Sequence, residues 1–173
     1  MMQRLDEAYW QTAKLIPSGR PIKILDLGCC TELEYDAFIQ VNPEIEVTGI
    51  EEEEKLQEML LHKSGRRIAK LRLIYGDYCD VDFGKEHYDM AMSVVENNKY
   101  DRKTRLQLYH KIFETLEEEG VYIERDVMPA DLSVAGSMNN LFSKLVSLLL
   151  EAGFQRVERA WQNDNTLLIR AMK

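Results

Sequence analysis

Four stretches of this 173-residue sequence place an acid or a polar group directly after a strand-like apolar run. They are Asp26-Leu27-Gly28, Glu51-Glu52, Gly76-Asp77-Tyr78 and Ser93-Val94-Val95-Glu96. The first is the most informative. Ile22, Ile24, Leu25 and Leu27 form a β-favouring run that carries an acid near its end, and Gly28 removes a side chain where backbone can approach a ligand. Thr31 and Glu34 have capping-box spacing, which predicts a helix starting at Thr31. Strand, glycine turn and helix N-terminus form a recurrent cofactor-binding corner. Ligands of open α/β sheets bind beyond the carboxyl ends of the strands, so all four stretches are candidate binding positions.

The intervening sequence supplies the elements that must hold these ends together. Apolar spacing predicts an N-terminal helix over Met1–Ile16, broken by Pro17-Ser18-Gly19-Arg20-Pro21. Helices are expected over Thr31–Val41, following the glutamates Glu51 to Glu54 to about Ser64, from Asp101 to about Glu118 and over Asn140–Ala152. Leu106, Tyr109, Phe113 and Leu116 should form the buried stripe of the fourth. Strands are expected at Ile22–Leu27, Glu46–Ile50, Ala69–Tyr75 and Tyr88–Val95, then from Val121, with a closing hairpin of Phe154–Gln162 and Thr166–Met172. The segment Cys79–Glu86 is too short and polar for a full helix. Alternating strands and helices predict an α/β Rossmann-like, doubly wound sheet, mostly parallel, with helices on both faces. The expected organisation is one domain, 1–173, with an N-terminal helix and linker over 1–20 and a core over 21–173.

Hydrophobic residues make up 45% and charged residues 30%, as in ordinary soluble domains. The net charge of −8 argues against nucleic acid or an anionic membrane as a bulk partner. No apolar run has the length of a membrane span, and Asp6 and Glu7 replace a signal-peptide core. The three cysteines, Cys29, Cys30 and Cys79, lack disulfide or metal-site spacing. A cytoplasmic location and no metal are the expectations. Cys29 and Cys30 near a helix start have a second reading as redox thiols, against filling a tight turn as small apolar residues.

Taken in order, the strand ends resemble those of the class I S-adenosylmethionine-dependent methyltransferases. The resemblance extends through Glu119-Gly120-Val121-Tyr122-Ile123 and Leu150-Glu151-Ala152-Gly153-Phe154 to the final hairpin, which is similar to the antiparallel last strand of that family's seven-stranded sheet. It implies S-adenosylmethionine as cofactor. Glu51 would then accept both ribose hydroxyls. Glu52, Asp77 and Tyr78 would flank adenine, while Asp26, Gly28, Cys29 and Cys30 would lie toward the methionine end. Ser93 and Val94 would line the floor. Each position also has a plainer reading. Glu52–Glu54 suit a solvated helix start favoured by the helix dipole, Gly76-Asp77 is an ordinary turn pair, and Tyr78 suits a core or rim.

The family loop Asp-x-Gly-x-Gly-x-Gly reads Asp26-Leu27-Gly28-Cys29-Cys30-Thr31-Glu32 here, with Cys30 and Glu32 replacing two glycines. A methyltransferase acting on a small molecule is therefore weighed against a catalytically degenerate binding or scaffold protein of the same fold. The absence of a Gly-x-Gly-x-x-Gly fingerprint disfavours a nicotinamide enzyme. After strand four, Glu96 is a candidate base and Asn97 and Asn98 candidate substrate contacts, although all three also suit an exposed loop. Tyr9 and Trp10 resemble the aromatic segment that closes over the cofactor in relatives. The alternative is that their helix packs on the sheet or on a partner subunit. The expected partner is a small substrate, with cover from the N-terminal helix or from a homodimer.

Overall fold

The computed structural model describes residues 2–28, 32–52, 68, 70–94, 100–128 and 135–173. Its seven-stranded sheet comprises β1 (Ile22–Leu27), β2 (Ile45–Glu51), β3 (Lys70–Tyr75), β4 (Tyr88–Val94), β5 (Leu116–Val127), β6 (Arg156–Gln162) and β7 (Thr166–Met172). The spatial order is β3-β2-β1-β4-β5-β7-β6. The first five strands are parallel and β7 runs antiparallel to both β5 and β6. This is the Rossmann-like arrangement expected, with helices on both faces.

Strand alternation divides the core between those faces. Ile22, Ile24, Ile45, Val47, Met90, Met92, Ile123 and Leu168 share one cluster with Ala13, Tyr35 and Phe38. These last three come from α1 (Met2–Ala13) and α2 (Glu32–Val41). Leu25, Leu27, Ile50, Ala91, Tyr122, Leu167 and Ile169 point the other way, toward α3 (Arg102–Thr115) and α4 (Ala135–Glu151). Full burial of each large aliphatic chain contributes roughly 1.5–3 kcal/mol. Buried Asn42 bonds the carbonyls of Pro17 (2.8 Å) and Arg20 (2.9 Å), fixing the linker that delivers β1.

Several boundaries differ from the sequence expectations. The N-terminal helix stops at Ala13, before a turn, and α4 starts at Ala135, five positions before the expected Asn140. Asp101 caps α3 by accepting the Thr104 N–H at 2.7 Å, but the helix ends at Thr115 because Leu116 is extended (φ −75, ψ 142). Leu116 instead pairs with Tyr88, which lengthens β5 to 12 residues. The buried face of α3 is correspondingly Arg105, Leu108, Tyr109, Ile112 and Thr115, with Leu106 and Phe113 only partly covered. β6 begins at Arg156 rather than Phe154. The helix expected to reach Ser64 falls outside the described residues.

No helix connects β3 to β4 across residues 76–87, all of them described. This crossover is fastened to α3 instead. Lys111 Nζ donates to the carbonyls of Tyr78 (2.8 Å) and Cys79 (3.0 Å), and Thr115 Oγ1 donates to that of Phe83 (3.0 Å). In return the amides of Glu86 and His87 satisfy the α3 carbonyls of Glu114 and Thr115, at 3.0 and 2.9 Å, groups that a helix end leaves without intrahelical partners.

Candidate functional site

Parallel pairing brings the carboxyl ends of β3, β2, β1 and β4 into one row. Gly28 follows β1 with φ 80, a conformation that costs an L side chain about 1–2 kcal/mol. Its N–H donates to the Ile50 carbonyl at 3.0 Å, and the Gly76 N–H donates to the Glu51 carbonyl at 3.1 Å. The turns after β1 and β3 therefore both close onto the end of β2. Leu27 pairs with Ser93, which extends the row to β4.

The acids on this row occupy different environments. Asp26 is fully buried and its Oδ2 accepts the Tyr35 hydroxyl at 2.6 Å, anchoring the β1 end to α2. Glu51 is also buried, at 6% exposure, and so is held in place at the end of β2. Glu52 is half-buried and accepts the Tyr100 hydroxyl at 3.2 Å. Burial first, and then the Glu52 charge, raise the Tyr100 phenol pKa, with smaller contributions from Cys79 and Asp77. Glu52, Tyr100 and the Asp77–Cys79 turn thus form one neighbourhood, of which sequence reading had identified the acids but not Tyr100.

Asp77 is exposed and spends one oxygen on its own turn, accepting the Cys79 N–H at 2.7 Å. Tyr78 is buried and belongs to the same core cluster as Leu27 and Ile50. Burial and Asp77 raise the Cys79 thiol pKa, opposite to the shift an activated thiol needs. Among the described residues no group of His, Cys, Asp and Glu could hold a metal. Cys29, Cys30, Glu96, Asn97 and Asn98 lie outside the described residues, as does Thr31. Glu34, the expected capping-box partner of Thr31, is buried. Both its oxygens take the Arg125 guanidinium, with Arg125 Nη2 to Glu34 Oε2 at 3.0 Å. The same guanidinium lies 5.0 Å from the centroid of the buried Tyr9 ring, whereas Trp10 is 40% exposed. α1 packs on α2 and β7.

Beneath the β4 and β5 ends lies a buried polar network absent from the sequence reading. Ser93 Oγ and the Tyr122 hydroxyl are 2.5 Å apart, and Tyr109 donates to Glu124 Oε2 at 2.5 Å. Arg105 Nε donates to the Tyr109 hydroxyl at 2.8 Å, while its Nη2 serves both Glu124 and, at 3.4 Å, Asp126. Asp126 Oδ1 has no hydrogen-bond partner among the described residues. Burial, then the Glu124 charge, push the Asp126 carboxyl up to about 7, with Arg105 opposing them. Burial alone would depress the Arg105 pKa, but Glu124, Tyr109 and Asp126 outweigh it and raise it. The available sequence signal was Glu124-Arg125-Asp126 within a strand, since alternation sends Arg125 to one face and the two acids to the other. Val94, the last residue of β4, pairs with Arg125 in this region.

No family model matches the sequence and no curated protein matches it. Solved structures do. A proposed O-methyltransferase from Nostoc punctiforme PCC 73102 superposes with a TM-score of 0.75 at 23% identity, over 98% of this chain and 57% of its own. An O-methyltransferase family 2 protein from Planctomyces limnophilus DSM 3776, in complex with apigenin, gives 0.73 at 19%, over 99% and 59%. An S-adenosylmethionine-dependent methyltransferase from Mesorhizobium loti gives 0.69 at 14%, over 96% and 98%. The chain therefore spans little more than half of the first two proteins and nearly all of the third.

Proposed function

We propose that this chain, which has the class I S-adenosylmethionine-dependent methyltransferase fold, binds S-adenosylmethionine along the β3-β2-β1-β4 edge and transfers its methyl group to a small molecule. The observation that carries the reading is the junction of Gly28 and Glu51. A positive-φ glycine hooked onto the end of β2 opens backbone beside a buried carboxylate. Those features fit the cofactor. When bound, it supplies a sulfonium-borne methyl group, an electrophile that needs no further activation.

The chain's own task is to bind and orient. Glu51 would accept both ribose hydroxyls, each charged hydrogen bond contributing about 1.5–3 kcal/mol. Glu52 and Asp77 would border adenine, with the backbone N–H of Tyr78 offered to the base. Asp26, fixed by Tyr35, would brace the Gly28-Cys29-Cys30 turn toward the methionine end, and Ser93 and Val94 would form the floor. Glu96 is the candidate acceptor for a substrate proton, and Asn97 and Asn98 would orient a polar substrate. With Tyr9 committed to Arg125, Trp10 is the aromatic available as cover. A homodimer would supply further cover.

Calorimetric titration with S-adenosylhomocysteine tests the reading. Binding is expected, weakened about tenfold to a hundredfold in Glu51→Ala. No heat at millimolar ligand would overturn it. Cys30 and Glu32 at motif glycine positions favour a second reading, a binding or scaffold protein. Cofactor binding with no transfer of labelled methyl to any small-molecule pool would select that alternative.

A further inference from the structure

The β3–β4 crossover covers only part of the sheet beneath it. On the α3 face, the carboxyl-terminal halves of β1 to β3 present Leu25, Leu27, Ile50 and Ile74, which pack with Tyr78, Val81 and Phe83 of the crossover. The amino-terminal halves present Lys23, Glu46, Thr48, Lys70 and Arg72 on the same face. Register sets Lys23, Glu46 and Lys70 side by side, with Thr48 and Arg72 paired in the next row. Where a crossover helix would ordinarily lie, these side chains border an open cavity of about 360 Å³, closed at one side by His87 and Tyr88.

The chemistry of that cavity runs against the −8 charge of the chain. Three cations face one carboxylate, Glu46, and Lys70 is bonded to it. Asp89 nearby is already met by Arg20 and by the Lys23 N–H, at 2.6 and 2.9 Å. The Arg72 guanidinium and the Thr48 hydroxyl have no hydrogen-bond or ion-pair partner among the described residues, and the Lys23 ammonium interacts with the Asp89 carboxylate through its charge. Neighbouring strands are about 4.8 Å apart, so these long side chains can converge on one compact ligand. A guanidinium fork matches a carboxylate or phosphate through two parallel hydrogen bonds. The volume falls in the range of small-molecule sites.

We propose that this cavity is a second binding site, for a small multivalent oxyanion: a phosphate- or carboxylate-bearing metabolite held by Arg72, Lys23, Lys70 and Thr48. It lies at the amino-terminal ends of the strands, opposite the candidate cofactor edge, so the two readings stand or fall separately.

The full chain is titrated with pyrophosphate and, separately, citrate at matched chloride ionic strength, followed by amide NMR. Saturable shifts centred on Lys23, Thr48, Lys70, Arg72 and His87 are expected. Arg72→Glu and Arg72→Gln should each weaken binding by about tenfold or more. Lys103→Glu, an equal charge change to Arg72→Glu on the exposed side of α3, should leave it unchanged. Tighter pyrophosphate identifies a phosphate ligand and tighter citrate a carboxylate; either supports the site. The proposal fails if neither probe saturates. It also fails if Lys103→Glu weakens binding as much as Arg72→Glu, or if only a polyglutamate peptide binds, which would make the cavity a protein-docking surface.

Discussion

Burial and the neighbouring Glu124 hold the Asp126 carboxyl near 7, against a model-peptide value of 3.8. Between those values the folded chain binds a proton that the unfolded chain has released. The unfolding free energy contributed by this group is therefore fully present below the unfolded value, and it is lost as pH rises through about 7. Asp126→Asn should flatten that slope and raise stability at pH 8 by roughly 1–3 kcal/mol. Urea midpoints at pH 5 and pH 8 check this, and equal pH dependence in both proteins would contradict it. The same residue shows why sequence reading overlooked the network. Glu and Asp in a strand suggest a solvent-facing side, and it is α3, whose Arg105 and Tyr109 bond these acids, that makes that side interior.

Arg125 joins three elements. From β5 its guanidinium binds both oxygens of Glu34 on α2 while lying over Tyr9 of α1. Removing one partner of a buried ion pair strands the other charge, so Arg125→Ala should cost about 3–5 kcal/mol. The double variant Glu34→Gln with Arg125→Met should recover most of that loss in urea denaturation. Sequence reading found the strands because short β-branched runs bounded by turns are local signals. It placed Gly28, Glu51, Asp77 and Ser93 in order at their ends because chain order and strand order are linked in this topology. It misplaced the α3–β5 boundary at Leu116–Gly120, where helix-favouring glutamates are overridden by pairing with β4 and by Glu119 at φ 63. The pairing of Glu34 with Arg125, 91 positions away in sequence, is a tertiary contact that no local pattern announces.

Across the whole molecule, β1 and β4 are central and β3 and β6 form the edges. The β3 side chains are exposed or only partly covered, whereas Ile24, Leu25, Met90 and Ala91 are at or below 1% exposure. Native-state hydrogen exchange should therefore be slowest in β1 and β4, opening only with global unfolding, and about a hundredfold or more faster in β3. Uniform protection across the sheet would contradict this. No described helix is long and apolar enough to cross a membrane. The likeness to solved methyltransferases concerns this architecture, at 23% identity or less in the three compared.

The short β3–β4 crossover also limits how the chain can be re-engineered. A longer connection carrying an amphipathic helix, borrowed from another α/β protein, would lay an apolar stripe over Lys23, Lys70 and Arg72. Stripping water from those cations costs more than the new packing returns unless each receives an acceptor. A chimera with the transplanted helix alone should misfold or leave the graft undocked. One that also changes the three basic positions to Thr, Val or Ile should accept it.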